Sequence, residues 1–278
     1  LVGSEMCIRD RDKTMNRNLE MKKNWNNKSD RSKKAKEHTF NMSEKYSDKI
    51  SDCIANTKVY DDDVALYSLP NVPKNTNISV EAIDSVGAIM KYAKNIPSNI
   101  AVLNFASYKH PGGMFMEGSI AQEEALCHES FLYNVLEECP LYYDFNKRNL
   151  NRALYKDRAL YSPDILFERN NTSVYCDVIT CAAPNKTVAQ KYQNVSDEEN
   201  TKVLHSRIDF ILKIAADNKT DILILGAFGS GVFGQSAKEV ASIFKDLLEN
   251  KFSNVFDKIV FAVPSGNGNL EAFQEIFG

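Results

Sequence analysis

Four stretches of the chain are apolar at almost every position: NIAVLNFA from Asn99, SVYCDVITCAAPN from Ser173, DILILGAFG from Asp221 and DKIVFAVP from Asp257. Continuous apolar runs of that length predict strands covered on both faces. Between them the period changes. In SVGAIMKYAK the residues Val86, Ile89, Met90 and Ala93 form a helical stripe, and QEEALCHESFLYNVLEEC carries Ala125, Leu126, Phe131, Leu132, Val135 and Leu136 on one face, with Pro140 expected to stop that helix. SDEENTKVLHSRIDFILKIAADN opens on a capping box, Ser196 to Glu199, and predicts a long amphipathic helix. QSAKEVASIFKDLLEN from Gln235 and a short segment from Asn269 complete the helices. KVYDDDVALYS and NISVEAID predict short strands, whereas the stretch from about 141 to Arg169 is expected to be irregular, with ALYSPDILF as a hairpin rim.

Strands alternating with helices predict an α/β fold, a three-layer α/β/α sandwich with helices on both faces of a mixed sheet. In such sheets ligands bind beyond the carboxyl ends of the strands. Two glycine loops, 112–118 and 226–234, follow strands directly and could meet in one crevice. Before Thr57 the texture differs: Tyr46, Ile50, Cys53 and Ile54 at helical spacing predict one or two small helices over about 30–55, packed on the main domain. The expected organisation is a segment 1–14 set aside, a basic helical extension 15–56 and a catalytic domain 57–278. The opening LVGSEMCIRDR is set aside because EMCIRD is similar to the translation of a sequencing-library adapter.

Composition changes this picture little. The 278 residues are 43% hydrophobic and 26% charged with a net charge of −3, which excludes a globally basic nucleic-acid-coating protein. From Met15 to Glu37 eight Lys or Arg face three acids, the pattern of a solvated helix or tail rather than a nucleic-acid arm. Six scattered cysteines form no CxxC pair and no zinc spacing, and no apolar run reaches membrane-spanning length. A cytoplasmic monomer without membrane or nucleic-acid partners is expected.

Candidate chemistry concentrates in the loops. GSGVFG from Gly229 satisfies G-x-G-x-x-G, yet only 44 residues follow Gly234, too few for the rest of a dinucleotide domain, and no Gly-Lys-Ser/Thr makes it a Walker loop. What it retains is a backbone suited to an anion, ahead of a helix expected to begin at Gln235. PGGMFMEGSIAQEE, residues 111–124, sets Glu123 and Glu124 in a first helical turn behind a flexible seven-residue spacer. First-turn acids are common, because unpaired N–H groups favour negative charge there. Two carboxylates beside an anion-suited loop also match glycosidic chemistry, in which one acid protonates a leaving oxygen. His110 and His128 form no metal pattern, and no cofactor is expected; Cys127 and Cys181 are expected to be small buried residues.

NFASYKHPGGMFMEGSIAQEEALCHESFLY, with VITCAAPN and LGAFGSGVFG, strongly resembles the microbial poly(ADP-ribose) glycohydrolases, macrodomain proteins with a Gly-Gly-Gly, spacer, Gln-Glu-Glu signature. The resemblance runs from about Thr57 to the end of the chain. It implies a macrodomain-like fold, a metal-free hydrolase acting on an ADP-ribose-containing substrate, and Glu124 as catalytic acid with Glu123 positioning ribose hydroxyls. It further implies Asn104 at the distal ribose, Gly112, Gly113 and Gln122 along ribose and diphosphate, and Gly229, Ser230, Gly231, Val232, Phe233 and Gly234 around the diphosphate. Met114 stands where the family has its third glycine, so a non-catalytic reader of ADP-ribose or of a related NAD-derived nucleotide is the alternative the resemblance leaves open.

Overall fold

The computed structural model describes residues 27–61, 74–93 and 99–278. The segment set aside, the start of the basic extension and the end of KVYDDDVALYS lie outside the described residues. A seven-stranded sheet organises the chain, in the order β1 (Lys58–Asp61), β4 (Arg158–Arg169), β5 (Thr172–Cys181), β3 (Ile100–Phe105), β6 (Ile222–Leu225), β7 (Lys258–Ala262), β2 (Asn77–Glu81). The pairs β1/β4 and β4/β5 are antiparallel, and every pairing from β5 to β2 is parallel. The sheet is therefore mixed, and the five parallel strands point their carboxyl ends to one side.

Alternation along the parallel strands divides the core. Ala101 and Leu103 of β3, Leu223 and Leu225 of β6, and Ile259 and Phe261 of β7 face one layer, which includes buried residues of α7 (Asp197–Asp217), α8 (Ala237–Glu249) and α9 (Asn269–Phe277). Val102, Ile224 and Val260 face the other, with α2 (Ser85–Tyr92), α3 (Gln122–His128), α4 (Leu132–Leu136) and α5 (Pro140–Arg148). Both faces are covered, which is why these strands are apolar at successive positions. Ser196 caps α7 as expected, its Oγ accepting the Glu199 N–H at 3.1 Å.

The N-terminal helix α1 (Lys28–Asn56) belongs to the second layer, where Ala35, Met42, Ile50 and Cys53 are buried. It runs for 29 residues with a kink at Tyr46, so two helical segments joined at the kink occupy the stretch where one or two small helices were expected. The kinked residue's hydroxyl donates to Glu168 Oε1 at 2.6 Å, tying α1 to the end of β4.

Three expectations are corrected. The helix expected from Gln122 to Pro140 is broken: α3 ends at His128, and α4 begins at Leu132 after Ser130 Oγ accepts the Leu132 N–H at 3.0 Å. Pro140 begins α5 instead of stopping a helix, because the first helical position needs no N–H donor. The stretch expected to be irregular forms α5 and then β4, a 12-residue strand in the sheet, with a register shift between Ser162 and Ile165. Residues 185–195, for which no element was expected, hold α6 (Lys186–Gln193), capped by Asn185 and ended by Asn194 in the left-handed region.

Candidate active site

β3 delivers its carboxyl end into the first glycine loop, and α3 returns from that loop beneath it. Gln122 joins the two: its Oε1 accepts the Phe105 N–H at 2.9 Å, and its Nε2 donates to Leu103 O at 2.9 Å and Ser85 Oγ at 3.0 Å. A long side chain in the first turn of α3 thus completes hydrogen bonds that the end of β3 lacks. The spacer expected to be flexible is anchored on both sides. Phe115 is fully buried, edge-on to the His128 ring at 4.6 Å. From α1, Arg31 Nε donates to Gly118 O at 2.6 Å and Ser32 Oγ to Met116 O at 2.6 Å. Gly118 has φ +80°, and a β-carbon there would stand 2.8 Å from the Ser32 nitrogen, so only glycine lets the spacer touch α1.

The two acids are buried, not surface groups. Glu123 Oε2 accepts the Ser107 N–H at 2.7 Å and Oε1 accepts from Asn104 Nδ2 at 3.2 Å. Both bonds favour the carboxylate, but burial outweighs them and pushes the Glu123 carboxyl up to about 8. Glu124 Oε1 accepts the Met114 N–H at 2.9 Å, while Oε2 is buried without a hydrogen-bond partner. Gly113, at φ +63°, lies directly against both carboxylates.

A cavity of about 820 Å³ opens across the carboxyl ends of the parallel strands, within the size range of small-molecule sites. Of the residues singled out from the sequence, Gly113, Gln122, Glu123, Glu124, Gly229, Gly231, Val232 and Phe233 line it, so both glycine loops meet in one cleft. Four do not line it. Asn104 is wholly buried behind Glu123, its Nδ2 shared between Glu123 and Thr180 Oγ1 at 3.3 Å. Gly112 packs backwards against Tyr133 and Cys127, Ser230 Oγ is buried without a hydrogen-bond partner, and Gly234 abuts Thr187.

The second loop is held from behind. Gln235 does not begin α8; Ser236 caps that helix, and Gln235 is buried in a reciprocal amide pair with Asn200. Asn200 Nδ2 donates to Gln235 Oε1 at 2.9 Å, and Gln235 Nε2 donates to Asn200 Oδ1 at 2.9 Å and Pro184 O at 2.8 Å. At the loop tip the N–H groups of Gly231, Val232 and Phe233 make no hydrogen bond among the described residues. Three adjacent free donors on a loop before a helix form an anion-suited concavity.

One wall was not anticipated. Tyr108 lines the cleft and stacks on Tyr155, centroids 4.3 Å apart, and Phe233 tilts toward Tyr155 at 6.4 Å. Tyr155 follows a strained run: Asn151, Arg152, Ala153 and Tyr155 itself have φ between 43° and 66°. Arg207 of α7, fully buried, holds that run in place through Asp157 Oδ1 at 2.6 Å, Leu154 O at 3.3 Å and Ala182 O. The sequence gives no local sign of this, because the partners are some 25 to 53 residues apart. His128 is half-buried, and burial together with His38, Arg31 and Lys34 lowers it to about 4. Among the described residues no group of three or more His, Cys, Asp or Glu side chains is placed to hold a metal ion.

A family model described as microbial-type PARG, catalytic domain, matches residues 7–170, more than half of the chain. The chain belongs to this family. Solved PARG structures, of poly(ADP-ribose) glycohydrolase, are similar along most of their length. The enzyme from Thermomonospora curvata is 29% identical with a TM-score of 0.79, over 89% of this chain and 99% of that one. Its complex with the inhibitor ADP-HPD is 28% identical with a TM-score of 0.77, over 90% and 100%. PARG from Deinococcus radiodurans in complex with ADP-ribose is 29% identical with a TM-score of 0.74, over 82% and 96%. No curated protein matches. The PARG family model reaches back to residue 7 and so covers α1 as well as the first glycine loop.

Proposed function

We propose that this PARG-family chain hydrolyses the O-glycosidic bond at the anomeric carbon of an ADP-ribosyl group, releasing ADP-ribose, with Glu124 as general acid. The observation that carries this is the difference between the two acids. Glu123 has both oxygens engaged by Ser107 and Asn104, whereas Glu124 has one oxygen fixed by Met114 and one without a partner. A leaving oxygen brought against Glu124 completes it.

The chemistry follows from that geometry. Glu124 gives its proton to the leaving oxygen as the C1″–O bond breaks, and positive charge develops on the ribose. Water adds to C1″, and its proton returns to Glu124. Glu123 positions the ribose hydroxyls, with Asn104 acting behind it as a positioning residue. The N–H groups of Gly231, Val232 and Phe233 take the diphosphate, and Gly113 and Gly229 let the backbone approach ribose and phosphate. Among the described residues no helix is long and apolar enough to cross a membrane, and five free thiols support a reducing, cytoplasmic setting.

The test is release of ADP-ribose from poly(ADP-ribose) and from mono-ADP-ribosylated protein, followed by chromatography. Glu124→Gln is expected to lose at least about a hundredfold in kcat while binding ADP-ribose as wild type does. Turnover retained by Glu124→Gln would remove the acid from its role, and binding without release by the wild type would make the protein a reader.

A further inference from the structure

Resting on the glycohydrolase reading above, we infer that Met114 and Ile120 form the subsite for the leaving group, and that this subsite takes the adenine of the adjoining unit in an ADP-ribose polymer. Met114 is fixed beside the acid, since its own N–H donates to Glu124 Oε1 at 2.9 Å. Its side chain therefore leaves the backbone at the point where the acid is held. That side chain and Ile120 both line the cleft, and both are exposed, 41% and 64%. Met114 is not in the left-handed region, unlike Gly112 and Gly113. The backbone there needs no glycine, so a side chain fits without strain.

The chemistry of the substrate fixes what stands at this place. In a polymer of ADP-ribose the oxygen that leaves is carried by C2′ of an adenosine ribose, and the adjacent C1′ carries adenine. A base thus lies one carbon away from the atom that Glu124 protonates. In a linkage to a protein side chain no base stands there. Met114 next to Glu124, and Ile120 in the lining of the same cleft, offer a thioether and a branched alkyl chain, uncharged and suited to an aromatic face. Neither of these two side chains carries a charge or a hydrogen-bond donor.

The experiment compares two substrates that share the same anomeric carbon: an ADP-ribose dimer joined from C1″ to C2′, and the 1″-O-methyl glycoside of ADP-ribose, which has no base on its leaving group. The quantity followed is the ratio of kcat/KM for the dimer to that for the methyl glycoside. In Met114→Gly and in Ile120→Ser this ratio is expected to fall roughly two- to tenfold, the range of sulfur and apolar contacts to an aromatic ring. Met114→Leu should keep it. ADP-ribose affinity by calorimetry shows that each variant is folded, and Ile120→Ser carries the test should Met114→Gly lose its structure. An unchanged ratio in both variants, or an equal loss on both substrates, overturns the inference while leaving the glycohydrolase reading intact. Wild type that hydrolyses neither substrate overturns that reading, and this inference with it.

Discussion

Gly113 and Glu124 are in contact: a β-carbon built on Gly113 would stand 2.6 Å from Glu124 Oε1, and 3.0 Å from Glu123 Oε2. With φ at +63°, the position penalises any side chain twice, once through the backbone and once through the displaced acids. Gly113→Ala is expected to lower stability by about 1–2 kcal/mol and kcat by more than tenfold. Thermal unfolding measured beside steady-state hydrolysis checks both, and an unaltered kcat would show that the acids tolerate displacement.

Glu123 sets a pH dependence. Its folded value of about 8 lies above the ordinary 4.5, with burial as the cause, so the native state holds this proton more tightly than the unfolded chain. Its contribution to stability is fully present below pH 4.5, declines across the interval and is gone above pH 8. The melting temperature of the wild type should therefore fall between pH 5 and pH 9 by more than that of Glu123→Gln. Parallel slopes in melts of the two proteins would place the proton elsewhere.

The amide pair behind the second loop should separate binding from chemistry. Asn200→Leu leaves the buried Gln235 amide half-satisfied, at a cost of about 1–3 kcal/mol. Because Gln235 closes the 229–234 loop, KM is expected to rise several-fold while kcat changes less. Kinetics across substrate concentration, with a melt as control, test the split; a fall confined to kcat would contradict it.

Arg207→Met should be the most destabilising of these changes, at about 3–5 kcal/mol, since it strips Asp157 and two buried carbonyls of a shared donor. Urea unfolding is expected to show a lower midpoint with the slope unchanged. Asp157→Asn added to it should recover part of the loss, and no recovery would mean the carbonyls dominate.

How far the sequence discloses all this depends on whether the determinant is local. The strands around Ala101, Ile179, Ile224 and Val260 are legible because burial on both faces forces successive apolar residues. Ser196 announces its helix because a cap is a local hydrogen bond. The break between α3 and α4 is not legible, since the stripe from Leu126 to Leu136 continues across it while Ser130 bonds to both Leu126 O and the Leu132 N–H. Pro140 is ambiguous in sequence, as helices both end before proline and begin with it. The acid pair and both loops could be named from their order along the chain. That Asn104 stands behind Glu123, that Gln235 faces Asn200 and that Arg207 braces a strained run all depend on contacts across tens of residues.

The grip of Arg31 and Ser32 on the carbonyls of Gly118 and Met116 has a consequence for how the protein can be made. These bonds join residues 84 to 87 positions apart, so the helix leaves the ribosome well before the loop it will hold. A gene trimmed to start at Thr57 would encode the glycines of both loops and both acids yet omit the surface on which their spacer rests. Supplied as a separate peptide, the Lys28–Asn56 helix should reassociate with such a fragment and restore turnover in a concentration-dependent way.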